Sequence, residues 1–161
     1  RASYSRAGRP AELSVWLRHL LANAALRGER GPLETRLTTR PPKGNGVRQV
    51  RLRAPENPDA LLAPLIRLFR QGRDSPLAFW PEEARAYVEA LRDEKKGGSE
   101  QAALEQALKI RSGEFWRPDP YESLLERGGD GDPLESPEFR EGARAVFEPF
   151  LQHLEPTGDE S

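Results

Sequence analysis

Between Pro76 and Arg92 the chain sets two adjacent aromatics, Phe79 and Trp80, directly before a proline, and follows them with an apolar stripe. Pro81 suits the first turn of a helix, where its missing N–H would be unpaired anyway and its fixed φ is already helical. Ala84, Tyr87, Val88 and Leu91 then recur at the spacing of one α-helical face. A helix that is apolar along one face must bury that face against other elements. The flanking segments therefore have to supply a core. Before this stretch the pattern reads as helix, hairpin and second helix; after it, as helix and loop.

In the first segment Leu13, Trp16, Leu17, Leu20, Leu21 and Ala24 follow the series of one buried helix face, with Pro10 in the opening turn and Gly28 at the end. Residues 33–40 and 47–54 are rich in Thr, Val and Leu and flank Pro41-Pro42-Lys43-Gly44-Asn45-Gly46, which reads as a hairpin with a long loop. Alternation puts Leu33, Thr35, Leu37 and Thr39 on one face with Val50, Leu52 and Ala54. Glu34, Arg36, Thr38, Arg40, Gln49, Arg51 and Arg53 take the other. Asn57-Pro58 starts a helix bearing Leu61, Leu62, Leu65, Ile66, Leu68 and Phe69, with Pro64 inside it and Gly72 as its stop. Ser99 caps a helix carrying Ala103, Leu104, Ala107 and Leu108. Ser136-Pro137-Glu138 opens a last one with Phe139, Ala143, Val146, Phe147, Phe150, Leu151 and Leu154, bent at Pro149. The fold class expected is α+β, a small, mostly antiparallel sheet packed with about six helices. Residues 1–9 read as a flexible arm or the stub of a preceding domain, 10–154 as one domain, and 155–161 as a disordered acidic tail.

Composition narrows the function classes. With 161 residues, 36% hydrophobic and 32% charged, 15 prolines and 14 glycines, the chain has a modest core and many breaks. Net charge is −1, but residues 1–53 hold 12 Lys/Arg against 3 Asp/Glu, and the rest hold 13 against 23. Such asymmetry suggests a basic face set against an acidic one, either for a partner or for each other. There is no Cys and hence no disulfide framework or thiolate metal site. No apolar run reaches membrane-spanning length and no secretory signal is present, which is compatible with a cytoplasmic protein. The Arg start and the absence of Met mark the chain as an expected fragment of something larger.

Catalytic constellations are scarce. His19 and His153 have no carboxylate or second His at ligand spacing; His19 is expected at a helix surface or boundary and His153 at a helix C-terminus favoured by the dipole. Asp130-Gly131-Asp132 lacks the Gly that a calcium loop needs at its sixth position, where Glu135 stands, and reads as a connector. The strands offer arginines where a restriction-type nuclease would need carboxylates beside a Lys. Two binding surfaces stay open. Arg36, Arg40, Arg51 and Arg53 form a candidate DNA-phosphate face, with a solvated face or ion pairs to the acidic part as the alternative. Phe79, Trp80, Phe115, Trp116 and Tyr121 are candidate partner contacts, with core packing as the alternative.

Several stretches, in order, resemble the C-terminal part of the exodeoxyribonuclease V gamma subunit family, RecC. They are the Trp16-Leu17-Arg18-His19-Leu20 helix, the Glu34-Thr35-Arg36-Leu37 strand, the Phe69-Arg70-Gln71-Gly72 helix end and Pro76-Leu77-Ala78-Phe79-Trp80-Pro81. Asp119-Pro120-Tyr121-Glu122-Ser123-Leu124 and Phe147-Glu148-Pro149-Phe150-Leu151 continue the match to about residue 154. Phe115-Trp116-Arg117 departs from the Gly-Glu-Gly that the family pattern leads one to expect. The resemblance implies part of a restriction-endonuclease-like domain that has lost its catalytic residues. It further implies a non-enzymatic scaffold and DNA-handling role in the RecBCD helicase–nuclease, which repairs double-strand breaks. The implied partners are RecD, RecB and the DNA fork; no small-molecule substrate is implied. ATP and magnesium would serve the partner subunits, with no cofactor in this chain. The alternatives are part of an active metal-dependent nuclease whose ligands lie elsewhere, and an interaction module without DNA contact.

Overall fold

The computed structural model describes residues 2–6, 9–40, 47–93, 98–113 and 132–160. Among these, four strands, five α-helices and one 3-10 turn form two compact units. The first unit contains residues 1–64 and 149–161, the second residues 65–148. Both crossings fall at prolines inside helices, Pro64 and Pro149. A proline there removes one helical hydrogen bond and crowds the preceding turn, so the helix is weakest where the chain changes units. Among the described residues no helix is long and apolar enough to cross a membrane.

The first unit is built on a four-stranded sheet of order β1-β2-β3-β4: β1 (Ala2–Arg6), β2 (Thr35–Arg40), β3 (Val47–Leu52) and β4 (Leu154–Glu160). β2 and β3 pair antiparallel as the hairpin reading expects, with Leu37 opposite Val50 and Arg36 opposite Arg51. β4 pairs antiparallel with β3, and β1 runs parallel to β2. Two expectations are corrected here. Residues 154–160 are a strand rather than a disordered tail, and residues 2–6 are a strand rather than a free arm. The physical reason is the same for both. A bare two-stranded ribbon leaves a row of unpaired N–H and C=O groups on each edge, and β1 and β4 pair with those edges.

Helix α1 (Arg9–Ala25) lies in the same unit. Its buried side is Glu12, Trp16, His19, Leu20 and Asn23, whereas Leu17 and Leu21 are 41% and 55% exposed. The apolar series therefore misplaced the buried face by part of a turn, and it placed His19 outside when its side is only 2% exposed. Around it, Leu37, Val50, Leu52 and Phe150 are buried, and Trp16 meets Phe150 edge-on at 5.9 Å between ring centres. Helix α2 (Pro58–Asp74) begins as expected, with Asn57 Oδ1 accepting from the Ala60 N–H at 3.2 Å.

The second unit holds α3 (Pro81–Arg92), α4 (Glu100–Arg111), the 3-10 turn Pro133–Glu135 and the first part of α5 (Pro137–His153). Ala84, Tyr87, Val88, Ala103, Ala107, Leu134, Phe139, Ala143 and Phe147 are fully buried. The helix starts are capped where the sequence places Ser: Ser99 Oγ accepts from Ala102 and Ser136 Oγ from Phe139. Gly98, at φ 51°, supplies the left-handed residue that turns the chain into the α4 cap. Gly72 does not stop α2, which continues to Asp74. A Cβ at Gly72 would come within 2.9 Å of Leu77 Cδ1, so its role is close packing.

Candidate nucleic-acid interface

Arg36 and Arg51 stand opposite each other on one face of β2 and β3, because alternation sends Leu37, Val50 and Leu52 inward. Arg36 is exposed, lies directly opposite Arg51 and makes no ion pair among the described residues. Arg51 grips the Glu34 carboxylate as a two-point fork, with Nε donating to Oε2 at 3.0 Å and Nη2 donating to Oε1. It also reaches Glu155 at 3.5 Å, whose other oxygen pairs with Arg53 Nε at 3.2 Å. Arg53 Nη2 donates to the Gln152 carbonyl as well. The hydrogen bond from Arg51 holds the Glu34 carboxyl below the usual range, against some desolvation, and the Arg51 guanidinium is raised in turn. Three guanidiniums thus meet two carboxylates on this ledge, which leaves one net positive charge. For Arg51 and Arg53 the ion-pair alternative is the one the structure adopts. Arg40 ends β2, and its side chain lies outside the described residues.

Behind the ledge is a buried polar hub that sequence reasoning missed. His19 Nδ1 is 2.9 Å from Thr35 Oγ1 and Nε2 is 3.1 Å from the Arg53 carbonyl. A carbonyl can only accept, so Nε2 carries the proton and the Thr35 hydroxyl donates to Nδ1. Asn23, one turn along α1, donates from Nδ2 to the His19 carbonyl at 2.9 Å and to the Leu33 carbonyl at 3.1 Å. Its Oδ1 accepts from the Leu33 N–H at 2.8 Å. Asn23 therefore pairs both backbone groups of Leu33, the residue just ahead of β2, much as a neighbouring strand would. Trp16 stacks on His19 at 5.6 Å and lies 5.4 Å from His153. Burial lowers the His19 pKa from its ordinary value; the bond to Arg53 opposes this and the nearby His153 adds to it. His153, in the last turn of α5, donates from Nδ1 to the Pro149 carbonyl at 2.7 Å. One signal was present in the sequence: His19 and Asn23 stand at i and i+4 beside Trp16, so all three share one side of α1.

Two of the aromatic candidates, Phe79 and Trp80, take the core-packing alternative. Trp80 is 5% exposed, precedes α3 as its N-cap, and lies under the Arg111 guanidinium, 4.9 Å from the ring centre. Phe79 is half-buried and stacks on Phe147 at 6.2 Å. Both belong to the packing of the second unit rather than to a free docking surface, because the proline-led helix start turns them inward beside α5. Phe115, Trp116 and Tyr121 lie outside the described residues. Arg111 also pairs with Asp132 at 3.2 Å, and Asp132 Oδ1 caps the 3-10 turn through the Leu134 N–H at 2.9 Å. The second Asp of the connector is thus a cap, while Asp130 lies outside the described residues. Tyr87 donates to Glu100 at 3.0 Å, with Arg144 against both, and burial raises the Tyr87 pKa.

Among the described residues, no group of three or more His, Asp or Glu is placed to hold a metal ion. A cleft of about 230 Å³ opens in the first unit between the end of α1 and the entry to α2, with Leu26, Leu33, Pro55 and Pro58 among its walls. Arg27 at its edge pairs with Asp59 at 3.4 Å. A family model described as the RecC C-terminal domain matches residues 1–92 of the 161. No curated protein matches the chain.

Proposed function

The chain belongs to the RecC C-terminal domain family, and from that premise we propose that it is a non-catalytic scaffold and DNA-handling segment of the RecBCD helicase–nuclease. Membership implies a subunit role in that assembly and in DNA repair. The finer reading is that the segment meets the RecD helicase and the DNA fork, with RecB as the further partner. ATP and magnesium serve the partner subunits, and the setting is the cytoplasm.

The observation that supports a scaffold over an enzyme is where the groups suited to chemistry are spent. Both ring nitrogens of His19 are engaged in fastening α1 to the sheet, at 2.9 Å and 3.1 Å. Glu34 and Glu155 are engaged by Arg51 and Arg53. A general base needs a free lone pair aimed at a substrate; these side chains aim theirs at the fold. The Trp-Leu-x-His-Leu helix and the Glu-Thr-Arg-Leu strand are the two halves of one fastening, since His19 meets Thr35 and Asn23 meets Leu33.

The test is capture of the cognate RecD by the purified chain, with a forked-DNA shift at two salt concentrations on the same preparation. RecD capture together with a salt-sensitive shift is the expected result. A folded chain that gives neither signal overturns the reading. A chain that cuts DNA with magnesium overturns its non-catalytic part.

A further inference from the structure

The second half of α2 carries a face that the described fold leaves uncovered. Phe69 is 69% exposed and Ile66, one turn earlier, is 45% exposed. At 3.6 residues per turn, Arg70 and Arg73 fall on the same side as these two, with Arg67 alongside. All three arginines are exposed, and none makes an ion pair among the described residues. Only Asp74, at the helix end, offsets them, so this face carries three positive charges against one negative. The contrast with the hairpin ledge is direct. There, two of three described arginines are already held by carboxylates.

We propose that this face of α2 is a contact site for single-stranded DNA, with Arg67, Arg70 and Arg73 on phosphates and Phe69 as the platform for one unstacked base. The proposal rests on the DNA-handling reading for the presence of such a strand, and moves the contact from the ledge to the helix. Charge complementarity argues for a phosphate backbone, because uncommitted guanidiniums bind phosphate by charge and by paired N–H donors. The exposed ring argues for a single strand. A duplex keeps its bases stacked, whereas a base that has left the stack gains from an aromatic face whatever its identity. A protein partner fits less well, since interface cores are depleted in charge and two apolar side chains are a small anchor beside three arginines.

The experiment uses the whole chain and a fluorescein-labelled fifteen-residue oligothymidylate, with anisotropy read across a salt series, beside a duplex of equal length. Three phosphate contacts predict a slope of log affinity against log salt of about −2 for a single strand. The triple variant Arg67→Gln, Arg70→Gln, Arg73→Gln is expected to flatten that slope to near zero. Phe69→Ala is expected to weaken binding at least about fivefold while leaving the slope unchanged. Both variants alter exposed positions, and matching circular dichroism melts establish that they fold. If both folded variants bind like the parent, the proposal is overturned. In that case a persisting fork shift keeps the DNA-handling reading and returns the contact to the ledge. If Phe69→Ala has no effect and duplex binds as well as single strand, the platform is overturned. If the oligothymidylate does not bind and the triple variant instead loses RecD capture, the face is a protein contact and the proposal falls.

Discussion

Asn23→Ala is the most informative single perturbation of the first unit. The Asn23 side chain is 6% exposed and supplies both hydrogen bonds to Leu33, a 2.8 Å bond to its N–H and a 3.1 Å bond to its carbonyl. A third bond, to the His19 carbonyl, duplicates a group that already serves the helix. Truncation removes two bonds of roughly 1 kcal/mol net each and leaves two part-buried backbone groups to find water, so the expected loss is about 2–3 kcal/mol. For a chain of this length that corresponds to roughly 4–12 °C in melting temperature. Asn23→Asp sharpens the test. It keeps the acceptor facing the Leu33 N–H but turns a donor into a second acceptor against two carbonyls, so it is expected to cost more than alanine at neutral pH. Urea unfolding followed by circular dichroism measures both. A loss for Asn23→Ala below about 0.5 kcal/mol, with Asn23→Asp no worse, would refute the claim that Asn23 stands in for a strand partner.

Three further outcomes are expected. The folded His19 stays neutral below the pH at which an exposed histidine, near 6.5, takes up a proton. The unfolded chain then binds the extra proton, so stability is fully present above about pH 6.5 and falls as the pH drops through the folded pKa. His19→Gln should flatten this acid dependence in urea midpoints taken at several pH values, and an unchanged dependence would assign it to another group. Glu34→Gln leaves Arg51 with Glu155 as its one carboxylate partner and should steepen the salt dependence of forked-DNA binding by less than one phosphate contact, that is by less than about 0.7–0.9 in slope; an unaltered slope would mean that Arg51 does not face DNA. Arg111→Met removes both the cation over Trp80 and the pair with Asp132. It should cost about 1–3 kcal/mol in the same unfolding assay, and a neutral result would mean that Trp80 is held by its apolar neighbours alone.

Much of the local structure was legible. The caps at Asn57, Ser99 and Ser136, the proline-led start of α3 and the inward set of Leu37, Val50 and Leu52 all stand where spacing placed them. These are short-range facts: a cap serves its own helix, and strand alternation follows from the backbone alone. The orientation of α1 was not legible. Counting apolar residues favoured Leu17 and Leu21, but the sheet presents an unpaired Leu33 backbone and an Arg53 carbonyl, and only the His19 and Asn23 side of α1 can answer them. An unmet buried polar group costs more than an exposed leucine.

The sequence by itself determined the α+β class, the helix starts, the hairpin and a family resemblance resting on residues that turn out to clasp one another. Tertiary structure alone decided which charges are free. Glu155 is 104 residues from Arg51 in the chain, and no spacing rule links them; β4 pairing with β3 brings them opposite each other. That pairing brings a carboxylate to Arg51 and Arg53, whereas Arg36 and the arginines of α2 stay exposed with no ion pair among the described residues. Burial and ion pairing depend on contacts between distant segments, whereas helix and strand patterns depend on neighbours within a turn or two.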